Sequence, residues 1–176
     1  MTDENAFKVG ENLATTAGQV IFRNRMMELI HYAPAGDTTY KTPLLVVPPW
    51  INKFYILDLR PDNSFVRWCL AQGHAVFMVS WVNPDITYKD VSFEDYMQDG
   101  ILAALDAIEK QTGEKSANVI GYCIGGTLLA MTLAWLKAKK KANRINSASL
   151  FTTLIDFDQS GDLKHFVDEE QLQDQS

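Results

Sequence analysis

The order of apolar runs predicts an α/β protein, a mostly parallel sheet with helices on both faces. Three observations carry this. Apolar, charge-poor runs at residues 44–47, 75–80, 118–120 and 148–156 alternate with amphipathic stretches, as strands buried on both faces do between crossover helices. Ahead of them stand two runs, 19–24 and 26–32, separated by almost nothing, which predicts an antiparallel opening. A glycine-framed cysteine, Gly121-Tyr-Cys-Ile-Gly125, lies where a strand run ends and a helix begins.

Taken in order, the antiparallel pair ends at Pro34, and the first parallel strand, 44–47, runs into a loop that opens Pro48-Pro49. A helix is expected over 64–72, then the strand 75–80 and a loop containing Pro84. The strongest helix follows. Ser92 can cap it with Asp95 three residues on, Met97, Ile101, Leu105 and Ile108 share one face, and Gly113 follows the last turn. After the strand 118–120, a second long helix is expected over 126–142 and a last strand run over 148–156. An antiparallel opening followed by βαβαβαβ fits the first half of an α/β-hydrolase, so residues 1–176 are read as a partial catalytic domain of that fold. The polar tail 168–176 is expected to lie exposed.

Composition removes whole classes of function. With 176 residues, 47% hydrophobic and 22% charged, the chain is neither disordered nor collagen-like. Its formal charge of −6 argues against a nucleic-acid partner, which needs a surplus of Lys and Arg on one face. Two cysteines, Cys69 and Cys123, make no disulfide scaffold, and the acidic start Met1-Thr-Asp-Glu-Asn lacks the signature of a signal peptide. A reducing, cytoplasmic setting is therefore expected. The uncharged stretch 116–136, followed by Lys137, Lys139, Lys140 and Lys141, is long enough to span a bilayer. Its three glycines and its β-like beginning predict instead a buried strand and a buried helix, with no transmembrane segment.

The sharpest local feature is Asn118-Val-Ile-Gly-Tyr-Cys-Ile-Gly-Gly-Thr127, a nucleophile elbow with sulfur in place of oxygen. Such a turn is strained, and Gly121 and Gly125 leave the room that side chains would take from strand and helix. Cys123 would sit at the helix N-terminus, where the partial positive charge favours an anion. The N–H of Ile124, the next residue, would face a developing oxyanion. The second donor should come from the loop after strand 44–47; Pro48 and Pro49 have no N–H, so Trp50 is the first residue able to donate. The bland alternative for Cys123 is a small buried hydrophobe. That alternative is assigned to Cys69, which has no glycine frame.

A nucleophile needs a base and an orienting acid, which in this fold follow it in the chain. The only histidine after Cys123 is His165, in a loop too early in the fold for the usual base. His31 and His74 precede the elbow and read as structural or surface residues. Asp156 ends a strand run and reads as a loop cap rather than an acid. The basic cluster Lys137-Ala-Lys-Lys-Lys-Ala-Asn-Arg144 reads as a cationic helix C-terminus; docking of a ligand's phosphates there is the alternative, at the end of the sheet away from where ligands bind. Trp50, Phe54 and Tyr55 are either core or the apolar wall of an acyl channel. No metal site is expected.

Separated segments then carry a resemblance. Pro43-Leu-Leu-Val-Val-Pro-Pro-Trp-Ile-Asn-Lys-Phe-Tyr-Ile-Leu-Asp-Leu, Gln72-Gly-His-Ala-Val-Phe, Ser80-Trp-Val-Asn-Pro-Asp, Gly121-Tyr-Cys-Ile-Gly-Gly-Thr and Thr152-Thr-Leu-Ile-Asp-Phe resemble the polyhydroxyalkanoate synthases, most of all the short-chain, single-subunit kind. The elbow alone also resembles dienelactone hydrolases, which the segment Pro48-Pro-Trp-Ile-Asn-Lys disfavours. The synthase resemblance implies a polymerase whose cysteine, here Cys123, takes a 3-hydroxyacyl group from coenzyme A as a thioester and extends a polyester. It implies no cofactor beyond the coenzyme A of the substrate, a polyester granule surface as partner, and a homodimer. The family's catalytic Asp and His match no position here, so the chain is read as an internal fragment, inactive alone. Val82 departs from the family, which commonly has arginine there. A noncatalytic granule-associated protein is the remaining alternative.

Overall fold

The computed structural model describes residues 6–158; His165 and the tail 168–176 lie outside them. Strands β1 (Gly18–Arg23) and β2 (Met27–Tyr32) pair antiparallel, and β2 in turn pairs antiparallel with β6 (Val76–Trp81). Between β2 and β6 the chain lays down β3 (Leu44–Val47), a short ribbon of β4 (Asp58–Arg60) and β5 (Asn63–Ser64), and helix α1 (Phe65–Ala71). Beyond β6 follow α2 (Phe93–Asp95), a π-helical turn (Tyr96–Leu102), α3 (Ala103–Thr112), β7 (Ala117–Tyr122), α4 (Ile124–Ala138) and β8 (Ile145–Phe151). The six main strands stand in the order β1-β2-β6-β3-β7-β8, with β6, β3, β7 and β8 parallel.

Strict alternation across a doubly covered sheet explains why the central strands read as unbroken apolar runs. On one face Leu45, Val47, Phe77, Val79 and Val119 meet Ile101, Leu105, Ile108, Leu128 and Leu129 from the π turn, α3 and α4. On the other, Leu44, Val46, Val76, Met78 and Ile120 meet Val66, Cys69 and Leu70 of α1. The expected architecture, an incomplete α/β-hydrolase, is therefore present.

Element boundaries follow local chemistry. Ser64 caps α1 by accepting from the Arg67 N–H at 2.9 Å, and Ser92 and Asp95 form the expected capping box. Gly113 ends α3 in the left-handed region at φ 78°. Three expectations need correction. The helix beginning after Ser92 is not continuous α: the Ala103 N–H reaches back to Gln98 O, five residues away. The helix expected over 126–142 starts two residues earlier, because Cys123 itself caps it, and stops at Ala138, before Lys140 turns to φ 58°. The strand expected to reach residue 156 stops at Phe151, where Thr152 takes φ 44° and turns the chain. The β4–β5 ribbon was not legible at all, since both strands are short and polar.

Among the described residues no helix is long and apolar enough to cross a membrane. The stretch 116–136 is β7 followed by most of α4.

Candidate active site

Cys123 lies between β7 and α4 with φ 55° and ψ −125°, a backbone conformation that costs an L-residue on the order of 1–3 kcal/mol. Its surroundings hold it there. Its N–H donates to Phe151 O at 2.9 Å, and its carbonyl accepts from the Gly126 N–H at 2.9 Å and the Thr127 N–H at 3.2 Å. Strand and helix approach closely on either side: a Cβ at Gly121 would lie 2.5 Å from Gly126 Cα, and one at Gly125 would lie 2.8 Å from Pro48 O. Both glycines are therefore required by space. The Thr127 hydroxyl donates to Leu154 O at 2.7 Å, drawing the segment after β8 over the first turn of α4. With this packing Cys123 is exposed, whereas Cys69 is buried in α1, where burial pushes its thiol up to about 11.

Ile124 occupies the first position of α4, the part of a helix whose N–H groups have no intrahelical acceptor. Trp50 reaches the same end of the sheet by a second route. β3 and β7 are neighbours with Val47 beside Gly121, and the backbones of Val47 and Pro48 rest directly on Gly125. Two residues on, the Trp50 ring stacks on Tyr96 (centroids 4.2 Å, 24°) and meets Trp81 and Phe93 edge-on. The Trp81 indole N–H donates to Pro48 O at 2.7 Å, which fixes the start of the loop. Of the three loop aromatics, Trp50 packs on the α3–α4 side of the sheet and Phe54 on the α1 side, with Tyr55 edge-on to Phe54.

The sequence pointed to Cys123, Ile124 and Trp50; it did not point to Trp81, Tyr96 or Thr127, which hold them. Gly100 was the available signal, a glycine inside an amphipathic helical pattern. A Cβ there would lie 2.7 Å from the Trp81 ring.

The other candidates lie elsewhere. His31 stacks on Phe77 at 4.2 Å and burial holds it below the usual histidine value, while His74 sits against Tyr40. Asp156 accepts from the Asp158 N–H at 3.0 Å, the expected loop cap. Lys137 and Lys139 end α4 at the pole opposite Cys123, and Arg144 is taken by Asp106 at 2.7 Å. Among the described residues no cluster of three or more His, Cys, Asp or Glu is placed to hold a metal.

Residues 1–69 match the family model described as the Poly-beta-hydroxybutyrate polymerase (PhaC) N-terminus. The chain is 55% identical to the poly(3-hydroxyalkanoate) polymerase subunit PhaC of Rhizobium etli, over 97% of this chain and 27% of that protein. It is 54% identical to the poly(3-hydroxyalkanoate) polymerase of Methylorubrum extorquens, over 97% of this chain and 28% of that protein. To the subunit PhaC of Cupriavidus necator it is 44% identical, over 98% of this chain and 29% of that protein. The chain thus spans under a third of the length of these curated relatives. Among solved structures, a fungal esterase from Rhizomucor miehei superposes with TM-score 0.59 at 16% identity, over 87% of this chain and 49% of that one. The esterase rPPE, in a mutant form, gives TM-score 0.60 at 15% identity, over 87% of this chain and 48% of that one. At such identity these likenesses establish the α/β-hydrolase fold and nothing finer. Identity of 44% to 55% along nearly every residue is a different matter, and by it the chain belongs to the poly(3-hydroxyalkanoate) polymerase family.

Proposed function

We propose that the polymerase containing this chain takes a 3-hydroxyacyl group from coenzyme A onto Cys123 as a thioester and passes it to a growing polyester. The observation that carries this reading is the backbone of Cys123: a non-glycine residue held at φ 55° by hydrogen bonds and close packing, with its thiol exposed. A buried structural cysteine needs none of these.

The chemistry would run as follows. The Cys123 sulfur attacks the thioester carbonyl carbon, and negative charge develops on the carbonyl oxygen toward the N–H groups of Ile124 and Trp50. Collapse expels the coenzyme A thiolate; a hydroxyl of the growing polyester or of the next unit then attacks the enzyme thioester carbonyl, and the ester forms as the C–S bond breaks, the hydroxyl loses its proton and the Cys123 thiolate is released. With His31 and His74 packed away from the elbow, the base that manages these protons is expected outside the described residues.

The test is coenzyme A release from 3-hydroxybutyryl-CoA by the full-length gene product. Cys123→Ala should lower it by about 10³-fold or more, as loss of a nucleophile does, with an acyl adduct on Cys123 detected by mass spectrometry in the unmodified protein. Steady release by the variant would overturn the reading. The 176-residue chain alone should react with iodoacetamide at Cys123 yet release no coenzyme A steadily. Steady, Cys123-dependent release by it would bring His165 back as the base.

A further inference from the structure

The π turn Tyr96–Leu102 is held from two sides. Toward the sheet, Gly100 sits under the Trp81 ring, with no space for a side chain, and Tyr96 stacks on Trp50. The wider turn has a cost in hydrogen bonding. The Ala103 N–H bonds Gln98 O and Gly100 O, passing over Asp99 O, the acceptor an α-helix would give it. A carbonyl left by its helical donor needs another.

Asn24, at the β1–β2 turn, supplies one: its side-chain Nδ2 donates to Asp99 O at 2.6 Å. The same side chain is fixed at its other end, where Oδ1 accepts from the N–H groups of Met26 at 2.8 Å and Met27 at 2.9 Å. Asn24 is thus a rigid tie between the hairpin and the π turn. Arg25 adds ion pairs to Asp95 at 2.7 Å and Asp99 at 3.0 Å, but these are exposed and contribute little.

We propose that Asn24 is a positioning residue for acyl transfer: through Asp99 O it holds the π turn, and the π turn sets the loop that carries the Trp50 N–H. The path is continuous. From Asp99 it runs through Tyr96 and Gly100 to Trp50 and Trp81, and Trp81 fixes Pro48 O. It meets the elbow only where Pro48 rests on Gly125; Cys123 itself is held by its N–H bond to Phe151 O and by its carbonyl, which accepts from the Gly126 and Thr127 N–H groups. This inference rests on the acyl-transfer reading above, since an oxyanion donor matters only where an oxyanion forms.

Asn24→Asp is the discriminating variant, because it keeps an oxygen to serve Met26 and Met27 and turns the donor to Asp99 O into a charged acceptor that repels it. In the full-length polymerase, kcat for coenzyme A release should fall about tenfold with KM within about twofold, because a misplaced donor weakens the transition state more than the bound substrate. Hydrogen exchange should quicken across residues 48–57 and stay unchanged across β7, and iodoacetamide should alkylate Cys123 at the same rate. A general loss of stability would move all three together. Unchanged kcat, or unchanged exchange in the loop, in a variant of a competent enzyme overturns the proposal alone. Absence of Cys123-dependent release from the unmodified enzyme overturns the acyl-transfer reading, and the proposal falls with it. Should Asn24→Asp not fold, Asn24→Ser keeps an acceptor and lacks the amide donor, and it is read in the same way.

Discussion

Two cysteines with the same side chain show how position decides chemistry at the residue scale. Cys123 is lifted out of the sheet by a strained backbone and is exposed, while Cys69 is packed in α1 against the sheet. Burial disfavours the charged thiolate, so Cys69 is pushed up to about 11 from 9.0. The native chain at pH 8 should therefore react with a thiol reagent such as DTNB at one site, Cys123, and at both only after denaturation. Two fast equivalents in the native protein would contradict the packing of α1. Because the folded thiol holds its proton to higher pH than the unfolded one, stability from this group is complete below 9.0 and is lost as pH rises from there toward about 11.

At the scale of elements, the loop after β3 is held at its far end as well as at Pro48. Asp58, 1% exposed at the start of β4, accepts from the hydroxyls of Thr16 and Ser64, both at 2.6 Å. Its backbone carbonyl accepts from the Ala14 N–H at 3.1 Å. One carboxylate thus ties the N-terminal arm, the ribbon and the cap of α1. Asp58→Ala would remove the shared acceptor of two half-buried hydroxyls and should cost about 1.5–3 kcal/mol, the range for hydrogen bonds to a charged group; the urea midpoint should fall with unchanged m-value. An unaltered midpoint would show that the clasp carries no stability. These ties also mark the limit of legibility in the sequence. The strands β3, β6 and β7 announced themselves because burial on both faces leaves no charged position, and the elbow did because glycine was needed at fixed offsets from Cys123. Trp50 followed by elimination, two prolines having no N–H. The π turn was hidden, since Met97, Ile101, Leu105 and Ile108 satisfy an α-helical spacing and the cause of the departure, the Trp81 ring, lies on another strand. Asn24 and Asp58 were hidden for the same reason: their partners are distant in sequence, and a single polar residue has no periodicity to betray it.

For the whole molecule, the sheet's β8 side decides how this chain behaves alone. Among the described residues β8 pairs with β7 only, and six of its seven residues are exposed. An unpaired strand edge is a template for another chain, and here it is flanked by apolar surface. Leu150 and Phe151 are 38% and 41% exposed, Phe65 meets Phe151 edge-on, and the ring of Trp68, 57% exposed, stacks on Phe65. Opposing association is a net charge of −6, but at about 0.15 M salt the screening length is only about 8 Å, too short for dispersed charges to keep two apolar edges apart. The 176-residue chain should therefore self-associate, in a concentration-dependent way and more at 0.3 M salt than at 10 mM, by light scattering coupled to size exclusion. Ser149→Lys places a charge on the edge at a position already exposed, and should shift the distribution toward monomer without lowering the melting temperature. A sharp monomer peak from the unmodified chain at both salts would contradict the edge as the source. Association equal in the Ser149→Lys variant would move the source to another surface, for which Ile86, 81% exposed in the loop after β6, is the apolar residue to change next.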